Sequence, residues 1–206
     1  MKHCKVPLLL AEALKKLRTS LEEDLSEFWP APEGKGHDEG REMHEANMVL
    51  HLGAILKNNA HIYTEVSTDD HPRIDIDFVA LPRKEDWFLI CEAKRGYATN
   101  HIMGISWDIG RILSIAESKT FQEYEYSKAY GLLLITLWTK SERRALIQAW
   151  KNNLGSRSTS PIAKSCRGVI GKLDNLYAKR GVLTIHNYGN EGKHYLLYAV
   201  FEINLD

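Results

Sequence analysis

The stretch RIDIDFVALPRKEDWFLICEAKR, residues 73–95, constrains this chain more than any other part of it. Two apolar runs flank the turn-forming PRKED at 82–86, which predicts a β-hairpin with strands near 73–81 and 87–94. Its open end, however, carries Asp75 and Asp77 on one strand and Glu92 and Lys94 on the other. Acidic residues are poor strand formers, and ionised groups at the end of a buried hairpin are costly unless something compensates them.

Side chains two apart on a strand share a face, so Asp75 pairs in direction with Asp77, and Glu92 with Lys94. A turn centred near Arg83 and Lys84 puts Asp75 opposite Glu92. Centred one pairing later, it puts Asp77 opposite Glu92 and Asp75 opposite Lys94. Either register gathers carboxylates and one ammonium in a single patch. Cross-strand neighbours lie ~5 Å apart, so two unassisted carboxylates there repel each other. A hard divalent cation or a retained proton relieves that repulsion, and Lys94 compensates further. Such a patch suits phosphodiester hydrolysis: a cation binds a phosphate oxygen, acidifies a water and stabilises the charge that develops. An adjacent lysine can orient or deprotonate that water.

The rest of the chain predicts helices and strands in mixed order. Leu10, Leu14, Leu17, Leu21 and Leu25 recur at helical spacing over 7–28, before Pro30, Pro32, Gly34 and Gly36 break the chain. A second helix is expected from near Asp38 to about Lys57, with Met48, Val49, Leu52, Ile55 and Leu56 as its core stripe. Glu45 falls on that stripe, and a carboxylate on a buried face needs a reason. A strand at 61–66 precedes the hairpin. Then come a helix over 101–117 capped by Asn100, with Ile102, Ile105, Ile109, Ile112 and Ala116 inward, and a strand buried on both faces at 132–138. Helices from Ser141 to Trp150 and around 165–179, and a closing hairpin at 182–188 and 194–204, complete the order. Asp108 and Arg111 fall off the apolar stripe of their helix and receive no role, and Trp87, Trp107, Trp138 and Trp150 are expected in the core. This mixture predicts an α/β fold, a mixed central sheet flanked by helices.

The pattern resembles the PD-(D/E)xK nuclease superfamily, the restriction-endonuclease-like fold. EANMVLHLGAIL, RIDIDFVAL and CEAKRG stand in the order of that family's helix glutamate, strand acid and Glu-x-Lys. The resemblance implies an α-β-β-β-α-β core at about 38–139 within a single domain of 206 residues, with N-terminal helical and C-terminal helix and hairpin extensions. It implies Asp75 and Glu92 as metal ligands, Asp77 as the alternative to Asp75, Lys94 as the catalytic lysine and Glu45 as the carboxylate that binds or orients metal-bound water. It implies a nuclease dependent on Mg2+, for which Mn2+ substitutes, acting on nucleic acid, with DNA expected, and a homodimer where both strands of a duplex are cut. Pro72 does not directly precede the strand acid, so the literal "PD" is absent. A catalytically silent DNA-binding or assembly module on the same fold is the alternative.

Charge is segregated along the chain, which fits either two solvated faces of opposite sign or a local, not global, polyanion surface. Net charge is zero, but residues 11–45 hold ten acidic against five basic side chains. Residues 151–180 hold seven basic side chains against Asp174 alone, so Lys164, Arg167 and Lys172 are candidates for phosphate contacts. His44 and His51 lack a third ligand at zinc spacing. Nothing approaches the ~18 consecutive apolar residues of a membrane span, and Glu12, Lys15 and Lys16 interrupt the leader-like start. Cys4, Cys91 and Cys166 form no paired motif, so reduced thiols, a cytoplasmic location and no membrane partner are expected.

Overall fold

The structure is a computed structural model that describes residues 4–28, 45–96, 99–124, 126–139, 144–152, 159–187 and 192–205. The expected loop after the first helix, the start of the second helix at Asp38, His44 and the cap at Ser141 lie outside the described residues. Helices α1 (Leu8–Phe28) and α2 (Glu45–Leu56) lead into strands β1 (Ala60–Thr68), β2 (His71–Pro82) and β3 (Trp87–Arg95). Helix α3 (Thr99–Ala116) and the short α4 (Lys119–Gln122) cross over to β4 (Lys128–Thr139). Helices α5 (Ala145–Trp150) and α6 (Pro161–Asn175) precede the hairpin β5 (Lys179–Asn187) and β6 (Lys193–Ile203).

The six strands form one mixed sheet in the order β1-β2-β3-β4-β6-β5, with helices on both faces: the α/β class that the sequence predicts. Only β3 and β4 run parallel, and both are near-continuous apolar runs, as central strands covered on both sides must be. The C-terminal hairpin extends this same sheet, because β6 pairs with β4 along eleven residues from Ala129–Ile203 to Thr139–Lys193. At Gly131 the ring of Phe201 lies where a Cβ would stand, 2.3 Å from its ideal position, so that crossing requires glycine.

Helices α3, α5 and α6 cover one face through Ile105, Ile109, Ile147, Val169 and Leu173. Helices α1 and α2 cover the other through Leu17, Leu21, Met48 and Leu52. Along β3, Phe88 and Ile90 point to the α3 side while Leu89 and Cys91 point to the α1–α2 side. The alternation carries Glu92 and Lys94 to the α3 side. No helix among the described residues is long and apolar enough to cross a membrane. Cys4, Cys91 and Cys166 are free thiols, all raised by burial above their ordinary range.

Three expectations need correction. Helix α6 spans 161–175 rather than 165–179, because Ser160 Oγ accepts from Ala163 N–H with Pro161 behind it, and because Lys179 already pairs with Val200 in the sheet. The cap at Asn100 lies inside α3, one residue past its start, with its side-chain oxygen on His101 N–H. Trp107 is not in the core but 77% exposed, whereas Trp87, Trp138 and Trp150 are buried as expected.

Candidate active site

The β2–β3 ladder runs Ala80–Leu89, Val79–Ile90 and Phe78–Cys91. One further step brings Asp77 opposite Glu92, the second of the two registers allowed by the sequence. Beyond Phe78 the strands part, and the Asp77 carboxylate takes the place of a backbone acceptor: its Oδ2 accepts from Ala93 N–H at 2.8 Å. Asp75, favoured over Asp77 by the resemblance, is solvent-exposed. The charged groups acting on Glu92 are Asp77, Arg111 and Asp108. The structure therefore brings Asp77 and Glu92 together and leaves Asp75 at the rim.

Glu92 is wholly buried, held there because β3 is still paired to β4 at Glu92–Leu133. Burial first, then the Asp77 carboxylate, raises its carboxyl to about 9, against the opposing pull of Arg111. Arg111 Nη2 approaches Glu92 Oε2 at 2.8 Å as an ion pair, yet neither Glu92 oxygen has an aligned hydrogen bond. The same guanidinium nitrogen reaches Asp108 Oδ1 at 3.0 Å, and Asp108 Oδ2 lies 3.5 Å from the Lys94 ammonium. Asp108 is 3% exposed; burial raises its carboxyl, with Lys94 and then Arg111 opposing. A chain of alternating acidic and basic groups thus runs from Glu92 through Arg111 and Asp108 to Lys94.

Glu45 enters from the other layer. As the first residue of α2 it sits at the positive end of the helix, and its Oε1 accepts from Arg95 N–H at 2.9 Å. This bond answers why a carboxylate stands on the α2 stripe: it ties the helix start to the end of β3. His101 on α3 lies within the same field, lowered by burial and by Arg95, while Glu45 pulls it up and Lys94 pushes it down. Of the three predicted phosphate contacts, Lys164 is exposed and Arg167 half-buried beside Ala149, Asn152 and Ile170. Only Lys172 reaches α3, donating to the Ser106 carbonyl oxygen at 3.2 Å.

Asp108 and Arg111 are the site residues that sequence reasoning missed. Asp108 falls three residues after Ile105 and four before Ile112, on the shoulder of the apolar stripe, and that position was the available signal.

Among the described residues no set of three or more His, Cys, Asp or Glu side chains is arranged to hold a metal ion. The donor set nevertheless fits Mg2+, which keeps several waters and takes one or two carboxylates rather than an all-protein cage. Buried polar atoms are almost always satisfied, and both Glu92 oxygens lack an aligned donor beside a second carboxylate.

A second polar constellation lies between α1 and α2. Ser20 Oγ is 2.7 Å from His51 Nδ1, and His51 Nε2 is 2.9 Å from Asp24 Oδ2. The order mimics a nucleophile, a base and its orienting acid, but Ser20 is inside α1, whose backbone N–H groups are spent on the helix and offer no oxyanion site. It is a tie between helices.

No protein-family model, curated protein or solved structure matches this chain.

Proposed function

We propose that the chain is a metal-dependent nuclease that hydrolyses phosphodiester bonds of nucleic acid, DNA in the first instance, with Mg2+ as the cation and Mn2+ as a substitute. The observation that carries this reading is the half-buried Asp77 beside the buried Glu92, with Lys94 on the same face. The resemblance to the PD-(D/E)xK superfamily supports it, with Asp77 in the role of the strand acid.

In this reading Asp77 and Glu92 hold the cation, which supplies Lewis acidity and an acidified water. Lys94 orients or deprotonates the attacking water, and Asp108 aims it, since its carboxylate lies 3.5 Å from the ammonium. Arg111 lies against Glu92 at rest and is near enough to meet a phosphate oxygen in its place. Glu45 fixes the end of β3 through Arg95 N–H, and its second oxygen is the one we assign to a water. The reduced thiols suit a cytoplasmic setting.

One observation favours the silent binding module instead: the Glu92–Arg111–Asp108–Lys94 chain compensates itself without a cation. Incubation of wild type, Lys94→Ala and Glu92→Gln with plasmid DNA, single-stranded DNA and RNA, in Mg2+, Mn2+ or EDTA, separates the two. Metal-dependent cutting that both substitutions abolish establishes the nuclease. Folded protein that binds but leaves every polymer intact establishes the module.

A further inference from the structure

The solvent side of α3 next to the carboxylate cluster has a composition that the reaction alone does not require. An α-helix turns by roughly 100° per residue, so the order of side chains around α3 can be read directly. His101 and Asp108 flank the apolar stripe on the cluster side; Gly104 and Arg111 come next, then Trp107, then Met103, then Ser106. Trp107 is 77% exposed and Met103 53%, and a Cβ added at Gly104 would meet nothing within 4 Å. The far edge of this strip is closed by Lys172, whose ammonium is fixed on the Ser106 carbonyl at 3.2 Å. An exposed indole therefore lies between two cations, Arg111 and Lys172, beside an open backbone position, and the strip leads into the site.

We propose that this strip binds single-stranded nucleic acid, with one base stacked on Trp107 and the adjoining phosphates on Arg111 and Lys172. It rests on the nuclease reading for the chemistry at its inner end and names the substrate class of that site. An indole face flanked by cations is the arrangement that holds single strands, because every base offers a π-face and every nucleotide a charge. A duplex keeps its base faces stacked inside and offers this indole only its edges and backbone. Gly104 lets a sugar or phosphate pass close to the helix between Trp107 and Asp108. A second copy of the chain fits the strip poorly, since a two-fold contact would set the cations of one copy, Arg111 and Lys172, against those of the other.

The test uses the full chain in EDTA, so that nothing is cut, with a fluorescein-labelled 15-nucleotide oligothymidine and a blunt duplex of equal length as probes. The single strand binds more tightly than the duplex. Trp107→Ala weakens single-strand binding about tenfold or more, the scale of one lost base stack, and duplex binding far less; Trp107→Phe keeps most of it. Gly104→Leu fills the open position and also weakens the single strand. Trp107→Ala, at an exposed position, leaves thermal unfolding unchanged, and Gly104→Leu, inside the helix, does not lower it, which separates this result from a folding defect. Equal loss on both probes, no loss on either, or a wild type that binds neither overturns the proposal. So does a dimer in solution that Trp107→Ala converts to a monomer, which would assign the strip to a second copy. Metal-dependent cutting indifferent to Trp107 removes this surface and keeps the nuclease; Trp107-dependent binding by a chain that never cuts does the reverse.

Discussion

Asp77 Oδ2 accepts the backbone N–H of Ala93 at 2.8 Å, one step past the last backbone pair of the hairpin, Phe78 and Cys91. A side chain thus finishes the ladder where the strands separate, and the same bond fixes a carboxylate beside the buried Glu92. An asparagine can accept that N–H equally well, so Asp77→Asn removes charge while keeping the strand end. We expect it to lower cleavage by about 100-fold or more, the scale of losing one preorganised electrostatic group. Asp75→Asn, at an exposed position, is expected to stay within a few-fold of wild type. Cleavage assays in Mg2+ on the two variants decide between the registers functionally, and the opposite ranking would return the ligand role to Asp75.

Glu92 makes stability depend on pH in a defined direction. Its carboxyl is raised from 4.5 to about 9, so the folded chain keeps a proton there that the unfolded chain releases. Stability from this group is therefore unchanged below the unfolded value, falls as pH rises between the two, and levels off above about 9. Glu92→Gln carries no such penalty. In EDTA it should be more stable than wild type by roughly 3–4 kcal/mol at neutral pH, at about 1.4 kcal/mol per pH unit. The gap should close toward pH 4. Urea unfolding of both proteins across this range measures it, and parallel curves would mean that Glu92 is ionised in the fold.

Most of the fold was legible because burial pattern and period agree in the central strands: the runs at 87–91 and 132–138 read as strands and are β3 and β4. The choice between Asp75 and Asp77 was not legible. The two registers differ by one pairing and leave every side chain on the same face, so alternation is blind to the difference. What decides it is where β2 and β3 part, which is tertiary. Trp107 illustrates a different failure. Its apolar character suggested the core, yet it lies five residues after Ile102 and two before Ile109, on the polar side of α3, and counting around the helix places it in solvent. Helix α6 ends at Asn175 because β5 must begin at Lys179 to meet Val200, a constraint that no local signal carries.

Arg111 serves two carboxylates with one guanidinium nitrogen, at 2.8 Å from Glu92 and 3.0 Å from Asp108. Arg111→Leu leaves both buried acids without that partner. Breaking a fully buried pair costs about 3–5 kcal/mol, and because Arg111 is 35% exposed we expect about 1–3 kcal/mol here. Adding Asp108→Asn to Arg111→Leu should recover much of the loss, since the stranded charge is then gone. Thermal unfolding of the single and double variants reads this coupling. Simple additivity would show that Arg111 acts through packing rather than through Asp108.

The link between α1 and α2 rests partly on His51, which joins Ser20 at 2.7 Å and Asp24 at 2.9 Å. In the tautomer that donates from Nε2 to Asp24, Nδ1 accepts the Ser20 hydroxyl, so the ring uses both nitrogens across the helix pair. Helix α1 buries Leu17 and Leu21 on this layer, and α2 carries Glu45 to the end of β3. Loosening the pair should therefore lower the stability of the layer that carries Glu45. His51→Ala is expected to cost about 1–2 kcal/mol, from two net hydrogen bonds of ordinary worth. A Ser20→Ala/His51→Ala cycle should show about 0.5–1 kcal/mol of coupling. Urea titration gives both numbers, and cleavage by His51→Ala should fall only in proportion to the folded fraction. A much deeper loss of cleavage in fully folded His51→Ala would mean that this constellation takes part in chemistry and is more than a tie between helices.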